Sequence, residues 1–172
     1  AQGTVESLRK ALKKYEEARS LWTSVGNQRK LGETLHVVAL CHARLGESQK
    51  AIEIYLEALP LRRLAGDRFG EAQTLINIGS SYYSLSQIQK ALEYFSEALN
   101  LARQLGSRDL EVQSLTSLGN IYLASDQQKA FDAYGEALSR MAGLKQPSRE
   151  AYLLIGLGTL YWQKGEPQQA LA

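Results

Sequence analysis

Three side chains are of types that could do chemistry: the imidazoles of His36 and His42, the only histidines, and the thiol of Cys41, the only cysteine. The two histidines stand six residues apart. On a helix they project about 120° from each other, because each residue turns the chain by about 100°. A helical metal pair needs three or four residues of separation, so that both rings face one ion. Cys41 and His42 are adjacent and point about 100° apart, so the pair is poorly placed as nucleophile and base. Glycines are spread at regular intervals instead of clustering into a phosphate-cradling loop. Acidic residues are scattered, usually near Lys or Arg, and read as solvated helix faces. No catalytic residue, metal ligand or cofactor site is expected.

The elements that carry these residues belong to a globular chain. Its 172 residues are 44% hydrophobic and 22% charged, which excludes a disordered or collagen-like polymer. A formal charge of +2 is too balanced to imply nucleic acid or an anionic membrane as partner. Lys10, Lys13, Lys14 and Arg19 make the first helix slightly basic, but Glu6, Glu16 and Glu17 offset them. Only 3 prolines occur, favouring long uninterrupted helices, and one cysteine permits no internal disulfide. The apolar runs, such as Val37 to Cys41, fall far short of the roughly 18 residues that span a bilayer. The chain starts Ala1-Gln2-Gly3 with no basic-then-apolar leader and stops within a helix-like pattern, Gln168 to Ala172. A segment of a longer protein is expected, cytoplasmic by default, with export left open.

Self-comparison reveals the organisation. Ala11, Ala51, Ala91, Ala130 and Ala170 recur at spacings of 40, 40, 39 and 40. Tyr15, Tyr55, Phe95 and Tyr134 follow them, and then Ala18, Ala58, Ala98 and Ala137. A second set reads Leu35, Leu75, Leu115 and Leu154, followed by Ala39, Gly79, Gly119 and Gly158, then His42, Tyr82, Tyr122 and Tyr161. His42 thus occupies a core aromatic column, and the places matching Cys41 hold Ser81, Ile121 and Leu160; both residues are expected to be packed. A turn column reads Gly46, Ser86, Asp126 and Gly165. Each period contains two apolar patterns at three- and four-residue steps, the mark of two amphipathic helices. Gly26-Asn27, Gly66-Asp67 and Gly106-Ser107 place a left-handed residue before a helix cap, while Pro147 and Pro167 suit first helical turns. Glycine within a helix costs about 1 kcal/mol against alanine. Gly79, Gly119 and Gly158 are therefore expected to let a partner backbone approach, as Gly79 against Ala91, with Tyr82 and Phe95 filling the wedge.

These columns resemble the tetratricopeptide repeat. Leu75, Ile78, Gly79, Tyr82, Ala91, Phe95 and Ala98 fit its motif, as do Leu115, Leu118, Gly119, Tyr122, Ala130, Tyr134 and Ala137 with one deletion. The resemblance implies an all-α fold, a right-handed superhelix or α-solenoid of stacked antiparallel helix pairs. The expected division is a single array: a leading helix at 1–26, helix pairs at 27–66, 67–106 and 107–146, and a truncated unit at 147–172. The period of about 40 is similar to that of kinesin light chains, polarity adaptors and bacterial arrays. Leu64 to Leu75, Ser86 to Phe95 and the opening Thr4 to Ala18 resemble bacterial arrays joined to CHAT peptidases or signalling domains. No residue here is that of a peptidase.

In such stacks the first helix of each pair lines a concave surface. The second pair would contribute Gln73, Asn77, Ser80 and Ser84, flanked by Ile76 and Tyr83; the third Gln113, Ser117, Asn120 and Ala124, with Thr116 and Leu123. The first would add Glu33, Val37, Leu40 and Arg44, with His36, and the last Tyr152, Gly156, Thr159 and Gln163, with Ile155 and Trp162. Amides can pair with peptide backbone while Tyr83, Leu123 and Trp162 grip apolar side chains. A plain solvated surface is the alternative. The family's carboxylate clamp is not expected, since His36, Leu40, Gln113 and Ser117 stand where its cations would be. The expected partner is a protein or peptide, with no nucleic acid and no membrane. Two alternatives remain open: end-to-end self-association through Leu154, Leu157 and Tyr161, and a regulatory role beside a catalytic domain elsewhere. As exposed residues, Asn77 and Asn120 would each cost no more than about 0.5 kcal/mol on truncation to alanine.

Overall fold

The computed structural model describes residues 2–165. Among them eight α-helices follow one another with no strand: α1 (Gln2–Val25), α2 (Gln28–Arg44), α3 (Ser48–Leu64), α4 (Arg68–Ser84), α5 (Ile88–Leu105), α6 (Arg108–Tyr122), α7 (Gln127–Arg140) and α8 (Pro147–Gln163). Each 40-residue period holds two of them, so the all-α class read from the repeat is the class the chain adopts. Ala170 and Pro167, expected to open one further helix, lie outside the described residues. The chain divides into two compact units, 1–94 and 95–172, with α5 running through the boundary.

Local chemistry sets the helix ends. Gly26, Gly66 and Gly106 have φ of 72°, 67° and 63°, left-handed values that a side chain resists. The residue after each begins a new helix: Asn27 accepts from the Lys30 N–H at 3.0 Å and Asp67 from the Gly70 N–H at 2.9 Å. Within the pairs, Gly46 and Gly165 are left-handed too, and Ser86 adopts φ 58° in the same role. Asp126 departs from that column. Its φ is −153° and it caps α7 by accepting from the Lys129 N–H at 3.1 Å, because the one-residue deletion removes the left-handed step.

In the first unit, Ala39, Ala51, Ala58 and Ala72 are fully buried beside Val38, Tyr55, Leu75 and Ile78. At Gly32, α2 comes close to the α3 backbone: a Cβ there would stand 3.0 Å from the Leu61 Cβ and 3.5 Å from the Arg62 nitrogen. Nothing in the repeat columns singled it out. In the second unit, Ala130, Ala137, Tyr134, Leu110 and Val112 form the core, and α8 buries Leu153 and Leu160 completely. The expected core column on α8 is therefore displaced by one residue: Leu154 is 51% exposed.

Two expectations need correction. Gly119 does not admit a partner backbone. A Cβ there would meet the Tyr134 ring at 2.6 Å, so the glycine makes room for an aromatic side chain. Nor are all carboxylates solvated. Glu71 is 4% exposed and held by Arg63 at 2.7 Å and Arg68 at 2.9 Å; Glu111, 40 residues later, is 5% exposed and paired with Arg140 at 3.2 Å. A buried carboxylate needs such partners to offset lost hydration. Cys41 is buried as expected, which pushes its thiol pKa up, and His42 is buried with Nδ1 2.5 Å from Glu47 Oε2.

Candidate functional site

In the first unit the predicted stripe lies on α4. Gln73 and Asn77 are half-buried, and Ser80, Tyr83 and Ser84 are exposed, whereas Ile76, expected to flank them, is buried in the core. The serine protons are already committed. Ser80 donates to the Ile76 carbonyl at 3.0 Å, Ser81 to Asn77 at 2.9 Å and Ser84 to Ser80 at 3.0 Å. These hydroxyls offer only oxygen lone pairs outward.

Beneath the stripe runs a polar chain linking α2 to α4. Thr74 donates its hydroxyl proton to the Gly70 carbonyl at 2.7 Å, so its oxygen accepts from His36 Nδ1 at 2.9 Å. Asn77 Nδ2 donates to His36 Nε2 at 3.3 Å. That arrangement fixes a neutral imidazole protonated on Nδ1. Burial, reinforced by the positive charge of Arg62 and opposed by Asp67, lowers the His36 pKa from 6.5 to about 4. The His36 ring meets Tyr55 edge-on, with centroids 5.3 Å apart. His36 is therefore a supporting residue of the α4 stripe and not part of its surface.

A cavity of about 120 Å³ opens beside this chain, lined by Leu40 and Ala43 of α2, Ser48 and Tyr55 of α3, and Asn77, Ser80, Ser81 and Ser84 of α4. Tyr55 is fully buried, and its hydroxyl makes no hydrogen bond of good geometry, although Asn77 lies beside it. Burial pushes the phenol pKa up, so the proton stays on the oxygen.

In the second unit, Gln113 and Ser117 of α6 are half-buried; Gln113 donates to Asp109 Oδ2 at 2.6 Å and Ser117 to the Gln113 carbonyl at 3.0 Å. Burial alone would raise the Asp109 pKa. Hydrogen bonds from Gln146, Arg149 and Gln113 outweigh it and hold the carboxyl below its usual range. Asn120 Oδ1 accepts from the Tyr134 hydroxyl at 2.6 Å and from the Tyr152 hydroxyl at 3.1 Å, which joins α6, α7 and α8. Asn120 is thus a structural tie as well as a groove candidate, unlike the free surface amide that its spacing suggested. Leu123 follows the last turn of α6 and is half-buried. On α8, Thr159 is exposed with its proton on the Ile155 carbonyl, and Trp162 is 72% exposed.

Sequence reasoning missed Tyr55 and Ser81 as cavity-lining groups. Tyr55 sits in an aromatic core column, and only its hydroxyl, absent from Phe95 in the same column, hinted at more. Among the described residues no group of three or more His, Cys, Asp or Glu side chains could hold a metal, and no helix is long and apolar enough to cross a membrane.

A family model described as tetratricopeptide repeat matches residues 5–63 and 70–142. No curated protein matches the chain. Among solved structures, BtubC (BKLC) from P. vanneervenii superposes with a TM-score of 0.86 at 24% identity, covering 95% of this chain and 69% of that one. A signal transduction ATPase with numerous domains, carrying a tetratricopeptide repeat sensor, from Pyrococcus horikoshii gives 0.79 at 24% identity, over 95% and 25% of the two chains. A Rap protein complexed with competence and sporulation factor gives 0.79 at 18% identity, over 95% and 50%. The chain spans a quarter and half of the lengths of the last two. At these identities the likeness is one of fold.

Proposed function

The chain belongs to the tetratricopeptide repeat family, and from that premise we propose that it is a non-catalytic scaffold that binds a protein or peptide segment. Repeats of this family generally serve as binding scaffolds. The observation that carries the reading is a row of amide and hydroxyl groups within each unit, Gln73, Asn77 and Ser80 on α4 with Tyr83 in the first, and Gln113, Ser117 and Asn120 on α6 with Leu123, and Thr159 and Trp162 on α8, in the second. Such a row suits the donors and acceptors of an extended backbone, while the larger side chains contact apolar residues. In this reading the repeats act as one array with no catalytic residue of their own. The array is a sensor or adaptor segment of a larger bacterial protein, in keeping with the sensor role that the Pyrococcus horikoshii structure's description gives its own repeats.

The test is selection of binders from a random peptide library on the whole chain. Ser80→Arg and Ser117→Arg then place a long cation on each stripe without removing a side-chain contact between helices. Loss of binding by either variant, with unchanged melting, supports the reading. Peptides that bind both variants equally well refute it.

A second reading, self-association, is favoured by a separate observation. Leu154, Ile155 and Trp162 of α8 are 51%, 69% and 72% exposed, a cluster of apolar side chains on one helix. Light scattering over a hundredfold concentration range distinguishes the two. A mass independent of concentration, at the monomer value, dismisses it.

A further inference from the structure

We propose that the cavity beneath α4 is a recognition pocket for a primary carboxamide, the side chain of an Asn or Gln in the bound segment. The inference deepens the peptide-binding reading and rests on it.

The pocket arises from one substitution within the repeat. In the third pair the Tyr134 hydroxyl is spent on Asn120, at 2.6 Å. The residue matching Tyr134 in the first pair is Tyr55, and the residue matching Asn120 is Leu40. Leucine has nothing to accept a proton, so the Tyr55 hydroxyl, buried beside Asn77, is left without a partner of good geometry in the wall of the 120 Å³ space that Leu40 helps to line. That volume is worth about four water molecules. It is enough for a carboxamide on a short methylene stem.

The remaining polar groups define the complement. Ser80, Ser81 and Ser84 donate to carbonyls of their own helix and present acceptor oxygens. Asn77 gives an N–H to His36. Ser48 adds a half-buried hydroxyl, so the pocket offers the buried phenol donor of Tyr55 and several hydroxyl oxygens as acceptors, with no carboxylate, imidazole or cation in its lining. A carboxylate brings no proton for the serine oxygens. An ammonium brings no acceptor for Tyr55, and a hydroxyl has a single proton to give. A primary amide has one acceptor oxygen and two N–H donors, and it carries no charge to desolvate. Leu40 and Ala43 supply apolar wall for its stem.

The probe is propionamide, titrated into the ¹⁵N-labelled whole chain by NMR, with propionate and ethylammonium as controls. Saturable shifts at Leu40, Asn77, Ser80, Ser81 and Ser84 are expected with propionamide and not with either ion. Tyr55→Phe, which mimics Phe95 in the same column, should weaken the affinity about tenfold. Leu40→Asn, which recreates the Asn120 arrangement, should abolish it by consuming the Tyr55 proton while the fold is kept. No saturable shift, equal response to propionate, or undiminished binding in Tyr55→Phe would overturn the assignment. Because the probe is not a peptide, failure here leaves selected peptides binding the array. Failure of the array reading would appear instead as no selectable peptide.

Discussion

The hydroxyl of Tyr134 donates to Asn120 Oδ1 at 2.6 Å while the same ring is clasped between Gly119 of α6 and Gly156 of α8. A Cβ on either glycine would come within 3.0 Å of ring carbons, at 2.6 Å and 2.9 Å respectively. One buried side chain thus registers three helices, sterically at the two sides of its ring and by hydrogen bonding at its tip.

Asn120→Ala should cost about 1–3 kcal/mol, because it strands a phenol hydroxyl that the helices keep from water. Adding Tyr134→Phe should recover part of that loss. Urea unfolding of both single variants and the double variant measures the coupling. Strictly additive effects would mean that the hydrogen bond contributes nothing.

Gly119→Ala tests the steric contact at one side of the ring. Alanine improves helix propensity by about 1 kcal/mol, yet its methyl would overlap Tyr134. Overpacking of a core typically costs about 1–3 kcal/mol, so the melting temperature should fall despite the better propensity. A rise would show that the ring moves aside freely.

Acid stability should carry the mark of His36. Its folded pKa of about 4 lies below the ordinary 6.5, so the fold favours the neutral ring. That contribution is complete above pH 6.5 and is lost as pH falls from there toward 4. A tenfold change in proton affinity is worth about 1.4 kcal/mol, so the whole interval amounts to about 3 kcal/mol. Arg62 and Asp67 are the charges that bear on the ring. In His36→Gln, chemical denaturation between pH 7 and 4 should show a shallower loss than in the parent. Parallel curves would remove His36 from the account.

Ser86→Gly should stabilise the chain by about 1 kcal/mol. Ser86 holds φ 58° where Gly46 and Gly165 occupy the matching turns at 82° and 76°, and a side chain in that region costs about 1–2 kcal/mol, part of which glycine's greater unfolded entropy takes back. Thermal melting decides the sign, and a lower midpoint would contradict the strain.

Helices, caps and repeat length were legible in the spacing alone. Gly26-Asn27 and Gly66-Asp67 at the junctions act through local backbone preferences, and apolar steps of three and four residues with alanines every 40 residues mark which face of each helix packs without saying against what. The membership of the α4 and α6 stripes came from the same periodicity. The task of each stripe residue was not legible. Asn77 and Asn120 are the same residue type on the same kind of helix face, yet one supports a buried imidazole and the other ties down two tyrosines. Glu71 and Glu111 had the pattern of solvent-facing carboxylates, yet Arg63 and Arg140 reach them from neighbouring helices, and Arg68 joins Glu71 from one turn earlier on α4. Leu153, not Leu154, entered the core because α7 meets α8 on that side. Spacing along one helix fixes which residues share a face. Which atoms meet that face is decided largely by side chains of other helices, as with Tyr134 and Tyr152 on Asn120 or His36 on Asn77, and their hydrogen-bonding balance exists only once the helices have packed.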